Sequence, residues 1–395
     1  MLRTLSTEER ISEPIFKMAS QIRNVQSSLS KTLPRIILGG AAFSTQMQAS
    51  PYDLPAVSML RKAFDSGITA IDTSPYYGPS EVILGGALRH PEITSNYPRY
   101  TYFVATKVGR IATNTFDYSK DWVRYSVKRS LNRLGGSSGD TEPYLDLVYC
   151  HDIEFVSEDE MCEALEVLFE FKKEGKILFI GISSYSPQLL LERVKVVKAR
   201  LGKTVDAVQN YCHLNLQNSK LEKLYPLIQA ELGEGGVIVS SSPLAMGLLR
   251  KEGAFGDWHP TPKGLQEACS VGLAKWCEEK IGEKLANLAL KYSVGKMALL
   301  AGGTGGHTTM GPSLLEELEE NLHVLEDIMV DSGDGQPQGL RVRDIDVAKV
   351  VALSRIFEEA REKIGSQWID YSWESPPADW DQIREKNEEP MLELD

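Results

Sequence analysis

From Pro34 onward the chain repeats one unit: a short run rich in Val, Ile, Leu and Tyr, then a longer stretch with apolar residues at helical spacing. The short runs predict strands at Arg35–Leu38, Thr69–Asp72, Tyr102–Lys107, Leu145–His151, Phe179–Ser183, Ala207–Asn210 and Val237–Ser241, with an eighth inside Met297–Gly311. The longer stretches predict helices at Leu54–Asp65, Ser80–Arg89, Lys120–Leu134, Ser157–Lys173, Pro187–Leu201, Lys220–Leu232 and Gly264–Lys280, and at Ser313–Asp327 after the last strand. Strand-then-helix repetition implies parallel strands with right-handed crossovers. Eight units in about 290 residues suit a closed (β/α)8 barrel of the TIM type, which typically takes ~250 residues before insertions. An open doubly wound sheet is the alternative. It would be favoured by G-x-G-x-x-G after the first strand, where this chain reads G-G-A-A-F-S.

Local chemistry fixes several boundaries. Ser157-Glu158-Asp159-Glu160 reads as an N-cap with a capping-box Glu and early acids that suit the positive helix end. Gly175 falls where that helix would stop, and Ser186-Pro187 puts proline at a first helical position. Residues 1–32 are polar and weakly patterned, an extension ahead of a barrel spanning 33–330. Residues 331–395 read as a linker (D-S-G-D-G-Q-P-Q-G), an additional C-terminal helix over Asp344–Ile364, and an acidic tail with Trp368, Trp373 and Trp380 that packs partly on the barrel.

A formal net charge of −12 argues against a nucleic-acid surface. Five cysteines with no C-x-x-C pair argue against a disulfide framework or structural zinc. No apolar run approaches the ~18 residues of a membrane span, and the start lacks the apolar core of a signal peptide. The expectation is a cytoplasmic protein with no nucleic-acid or membrane partner and an open oligomeric state.

Four residues stand at or just past successive strand ends: Asp72 and Tyr77 in A-I-D-T-S-P-Y-Y-G, Lys107 in V-A-T-K-V-G, and His151 in V-Y-C-H-D. In a barrel such ends share one mouth. Singly each has an ordinary role: a turn acid, a packed aromatic, a solvated lysine, a satisfied histidine. Together they suit proton transfer at a carbonyl or hydroxyl carbon. A tyrosine with a pKa of about 10 is a poor base near neutrality, and a neighbouring ammonium is expected to lower that value. A buried lysine needs an anion, for which Asp72 is the candidate, and His151 can orient a substrate oxygen.

On these residues the chain resembles the aldo-keto reductases from about Pro34 to Glu326. G-I-T-A-I-D-T-S-P-Y-Y-G-P-S-E-V-I-L-G-G-A-L is similar to the family's signature, and its spacing selects Tyr77 over Tyr76. A-T-K-V-G, Y-C-H-D, G-I-S-S-Y-S and V-Q-N-Y match in order. The resemblance implies a (β/α)8 barrel, an extended nicotinamide cofactor and catalysis by Asp72, Tyr77, Lys107 and His151. It implies that Ser183 and Gln209 hold the carboxamide, with Ser184 replacing a common asparagine. It further implies that Ser242 and Leu244 belong to a pyrophosphate-covering loop. Ser241 replaces a tyrosine that stacks on the nicotinamide in many members. The wording S-S-P-L-A-M-G-L-L is similar to the sugar-oxidising branch, the L-galactose and D-arabinose dehydrogenases. By the same resemblance Glu317, Glu320 and Asn321 lie at the adenosine end. Glu317 falls where a basic residue would meet a 2′-phosphate, so NAD is expected over NADP.

The substrate expected is a sugar or other small carbonyl compound, with specificity in Phe43–Pro51, Arg110–Lys120, His151–Val156 and the tail around Trp373. Carbonyl reduction with NADPH would use the same residues. A cofactor-binding auxiliary subunit, like the potassium-channel β subunits, is a further alternative. Gly302–Gly306 lacks the P-loop pattern and reads as a loop or a disturbed eighth strand, with His307 exposed in it. No histidine has metal-ligand spacing, and no metal is expected.

Overall fold

The computed structural model describes residues 28–136, 142–253, 259–302, 306–331 and 342–394. Eight parallel strands close in sequence order: β1 Ile36–Gly39, β2 Ala70–Asp72, β3 Phe103–Val108, β4 Leu145–Cys150, β5 Ile177–Ser184, β6 Ala207–Tyr211, β7 Val237–Ser241 and β8 His307–Met310. The closing pair is β8 with β1, registered Thr309 opposite Ile37. After each strand runs a crossover helix: α1 Ala56–Asp65, α2 Ser80–Leu88, α3 Lys120–Leu134, α4 Glu158–Lys173, α5 Pro187–Leu201, α6 Lys220–Leu232, α7 Leu285–Leu300 and α8 Leu315–Glu326. The capping box at Ser157 forms in both directions, and Gly175 takes a left-handed φ of 73°.

Side chains alternate along a strand. The inward series is therefore Ala70 and Asp72, then Phe103, Ala105 and Lys107, then Leu147, Tyr149 and His151. It continues with Phe179, Gly181 and Ser183, Ala207 and Gln209, and Val237, Val239 and Ser241. The lower members make an apolar plug with Ile37, sealed from below by Leu29 and Leu33. The short helix Leu29–Thr32 thus belongs to the barrel rather than to the polar extension, because Leu29 is buried inside it. A Cβ on Gly181 would lie 2.4 Å from the Tyr149 ring, so a glycine lets that ring fill the centre. The upper members of the series are polar, and they form the floor of the mouth.

Two expectations change. The strand in Met297–Gly311 is regular and begins at His307, with Thr308 and Thr309 supplying the β-branched residues. His307 is buried, not exposed: its Nδ1 lies 3.0 Å from the Pro34 carbonyl at the end opposite the mouth. Gly302 and Gly306 lie between α7 and the start of β8, on that same far side, which is no place for a phosphate cradle; residues 303–305 lie outside the described residues.

Helix α7 has no clear polar face, which hid it from periodicity. The barrel covers one side, and on the other a Cβ on Gly295 would lie 2.7 Å from Val350. The segment read as one helix over Gly264–Lys280 contains π-helical stretches at Ala268–Leu273 and Cys277–Ile281. The additional helix is two pieces, Val347–Ala352 and α9 Ser354–Ile364. Most of the linker, residues 332–341, lies outside the described residues, as do 1–27.

The tail runs along the loops after β3 to β6. Trp373 stacks on Tyr185 with ring centroids 4.8 Å apart, and Trp380 donates its indole N–H to the Phe155 carbonyl at 3.0 Å. Arg384 pairs with Glu160, the Glu385 N–H donates to the Asn114 carbonyl, and Asn387 bonds Asp117.

Candidate active site

Asp72, Lys107 and His151 end inward series on β2, β3 and β4, and all three are buried. The Lys107 ammonium donates to the Asp72 carboxylate and, at 2.9 Å, to the Thr73 carbonyl. The second Asp72 oxygen accepts from Gln209 Nε2 at 3.1 Å, so the carboxylate is held across the barrel from β6. Burial opposes the lysine's charge, but Asp72 and then Tyr77 outweigh it and raise its pKa.

Tyr77 ends a 3₁₀ turn, Pro75–Tyr77, whose cap is Ser74 Oγ accepting the Tyr76 N–H at 3.1 Å. The Lys107 ammonium sits 5.1 Å from the Tyr77 ring centroid. The expected lowering of the tyrosine's pKa is not the net result. Burial raises it and outweighs Lys107, whose charge Asp72 already offsets, and Asp72 raises it further. Tyr77 is therefore protonated near neutrality, with an ammonium poised to stabilise its anion.

The His151 ring stands edge-on to Tyr77 at 5.9 Å. Burial lowers its pKa to about 3, against the opposing pull of Asp152, so it is neutral. Nδ1 shares a hydrogen bond of 3.1 Å with Ser74 Oγ, leaving Nε2 for the mouth. Beside Nε2, at 3.5 Å, lies Asp152 Oδ2. Asp152 holds Arg110 at 2.5 Å, and the guanidinium lies 4.0 Å over Tyr76. The sequence placed Arg110 and Asp152 only within loops expected to set specificity, Arg110–Lys120 and His151–Val156, and gave no sign of Ser74. The trace available was an arginine three residues past Lys107 and an acid directly after His151.

The residues expected to hold a cofactor occupy the other arc of the mouth. Ser183 is buried, and its hydroxyl accepts the Asp152 N–H at 3.1 Å. Around the ends of β6 to β8, Asn210 Oδ1, Ser241 Oγ and Thr309 Oγ1 are buried with no hydrogen-bond partner among the described residues. Past β7, Ser242, Ala245 and Met246 all have φ between 49° and 58°. Three non-glycine residues in the left-handed region within one loop carry backbone strain of the kind found at ligand clamps. Unpaired buried acceptors and donors beside such a loop fit a polar, extended cofactor with amide and phosphate groups. Leu244 is half-buried in this loop.

Around the first turns of α8, Glu317 accepts the Ser313 N–H at 2.6 Å. Glu320 is committed to Lys284 and Asn287, and Asn321 lies half-buried beside it. A separate groove of about 520 Å³ lies outside the Tyr185–Trp373 stack, lined by Pro187, His213, Lys220 and Leu224 among others; none of Asp72, Tyr77, Lys107 and His151 lines it.

Comparison with known proteins puts this fold and mouth among the oxidoreductases. A model described as the Aldo/keto reductase family matches residues 35–332. The chain is 40% identical over 291 residues to D-arabinose 1-dehydrogenase of Saccharomyces cerevisiae, covering 72% of this chain and 80% of that one. It is 37% identical over 277 residues to L-galactose dehydrogenase of Arabidopsis thaliana (69% and 78%). It is 28% identical over 301 residues to L-glyceraldehyde 3-phosphate reductase of Escherichia coli (69% and 79%). The chain belongs to the aldo/keto reductase family, enzymes that use nicotinamide cofactors on small carbonyl compounds. Among the described residues no helix is long and apolar enough to cross a membrane.

Proposed function

We propose that the protein oxidises an aldose of the D-arabinose or L-galactose type at C1 to the lactone, with NAD as cofactor. The observation that carries this is the Lys107–Asp72 pair set beside Tyr77 and neutral His151. The two relatives at 37–40% identity, both sugar dehydrogenases by name, supply the substrate class.

The residues divide the work. Ser183, Gln209, Ser241, Ser242 and Leu244 would hold the cofactor, with Glu317, Glu320 and Asn321 at its adenosine end. Bound nicotinamide supplies the hydride acceptor. His151 donates Nε2–H to the C1 oxygen and orients it. Tyr77, after giving up its own proton to solvent, takes the C1 hydroxyl proton as the C–O bond becomes a carbonyl and the C1 hydride leaves to the nicotinamide. Lys107 stabilises the phenolate that this requires, and Asp72 keeps the lysine charged. In reduction the steps reverse, and the raised pKa of Tyr77 suits it as the acid. Glu317 supports NAD, since a carboxylate near the ribose would repel a 2′-phosphate.

The test is a panel of aldoses against NAD and NADP, followed by nicotinamide absorbance. D-Arabinose or L-galactose should be oxidised with NAD, and Tyr77→Phe should cost roughly 10²- to 10⁴-fold in kcat while leaving NAD affinity within a few-fold. Glu317→Lys should move the NADP/NAD preference about tenfold toward NADP. A wild-type protein inactive on every aldose but active on simple aldehydes would sink the sugar reading. Full activity of Tyr77→Phe would sink the mechanism.

A further inference from the structure

Two buried ion pairs lie in the mouth, and proton transfer at C1 uses only one. The second, Arg110–Asp152, joins the loops after β3 and β4, with side-chain exposures of 14% and 3%. Burying an ion pair is expensive, and apolar residues of similar size often stabilise a fold as well or better. Its position is specific. Asp152 directly follows His151 in a left-handed conformation with φ of 57°, and its N–H is fixed on Ser183. That turn brings Oδ2 to 3.5 Å from His151 Nε2, too long for a strong mutual hydrogen bond. A donor and an anionic acceptor thus stand side by side at the reacting position. Arg110 donates to this same Oδ2 at 2.5 Å, which leaves the oxygen a further lone pair, and its guanidinium packs among Tyr76, Phe116 and Phe155.

A vicinal diol has the matching pattern: two oxygens about one hydrogen-bond length apart. One can accept from Nε2–H while its neighbour donates to Oδ2. We propose that Asp152, held by Arg110, binds the hydroxyl on C2 of the aldose and so selects polyhydroxylated substrates over simple carbonyl compounds. This rests on the aldose-dehydrogenase reading above. An apolar aldehyde would leave the buried carboxylate facing an unpaired carbon, a mismatch that discriminates more strongly than a missing methylene does.

The test is a cycle of two substrates and two proteins. The aldose turned over best, D-arabinose or L-galactose, is compared with its 2-deoxy analogue in wild type and in Asp152→Asn. Comparing ratios cancels the intrinsic effect of the missing hydroxyl on C1. The kcat/KM preference for the full aldose should shrink by about 10- to 100-fold in the variant, mostly through KM. An unchanged ratio, with both substrates falling together, would overturn the assignment and leave Asp152 acting through His151 or the fold. Should the variant fail to fold, wild type alone decides. A 2-deoxy-2-fluoro analogue offers Oδ2 an acceptor in place of a donor, and its KM should rise about tenfold or more. Equal KM values for fluoro and parent sugar would overturn the proposal. Wild-type inactivity on every aldose would instead sink the dehydrogenase reading, and this inference with it.

Discussion

At the ends of β2 and β3 both Asp72 oxygens and the Lys107 ammonium have partners within the fold, whereas at the ends of β6 to β8 Asn210, Ser241 and Thr309 each bury a polar atom with none among the described residues. The two arcs are a few strands apart in one barrel, and Ser241 and Thr309 share the inward register of Asp72 and Lys107, whereas Asn210 alternates with inward Gln209. Their difference separates groups the fold satisfies by itself from groups it leaves for another molecule to satisfy. The first arc is paired within itself as folded. The second carries a cost, in unpaired atoms and left-handed residues, that a bound cofactor would offset.

The comparison can be broken most severely at Lys107. Lys107→Met strands the buried Asp72 carboxylate, and unfolding in denaturant should show a loss of about 3–5 kcal/mol together with loss of activity. A smaller test uses another buried group on the catalytic side, Glu154. Its carboxyl, buried and near Asp152, has a pKa raised to about 7; Oε1 accepts from Tyr185 N–H and Ser375. A raised carboxyl pKa favours folding below the unfolded value of about 4.5, an advantage lost as pH rises through 7. Glu154→Gln should therefore stabilise the protein by on the order of 1–3 kcal/mol at pH 8 and by little at pH 4.5, measured as Tm across pH. The opposite sign holds for His213, buried against Ser372 of the tail and lowered to about 4. Its contribution is complete above about 6.5 and lost as pH falls toward 4, so His213→Gln should flatten the acid side of the same curve. The smallest effect sharpens the contrast most. Thr309→Val removes an unpaired hydroxyl without changing shape, and should raise the stability of the free protein by about 1 kcal/mol while weakening NAD binding in a titration.

Much of this was legible because the barrel imposes two strong periods. Their places at successive strand ends put Asp72, Lys107 and His151 in one mouth, the family resemblance added Ser183 and Gln209, and helical spacing located seven of the crossover helices. The failures have physical causes. Helix α7 is apolar nearly all round because it is covered on two sides, so it had no period to read. Strand β8 is four residues long with two threonines, and its identity comes from pairing with β1 and β7. The sign of the Tyr77 shift depends on enclosure, which neighbouring letters do not encode. Asp152 was read only as part of the His151–Val156 loop, because its place beside His151 depends on a left-handed turn that reverses it onto the histidine before it.

The tail sets an order in time. The strands that carry Asp72, Lys107 and His151 are synthesised before Trp373, Ser375 and Trp380, which cover the loops after β4 and β5. Folding along a growing chain proceeds from its N-terminal side. A nascent barrel can therefore close while this cover over the loops after β4 and β5 is still unmade, so the packing of those loops is the last contact the chain acquires.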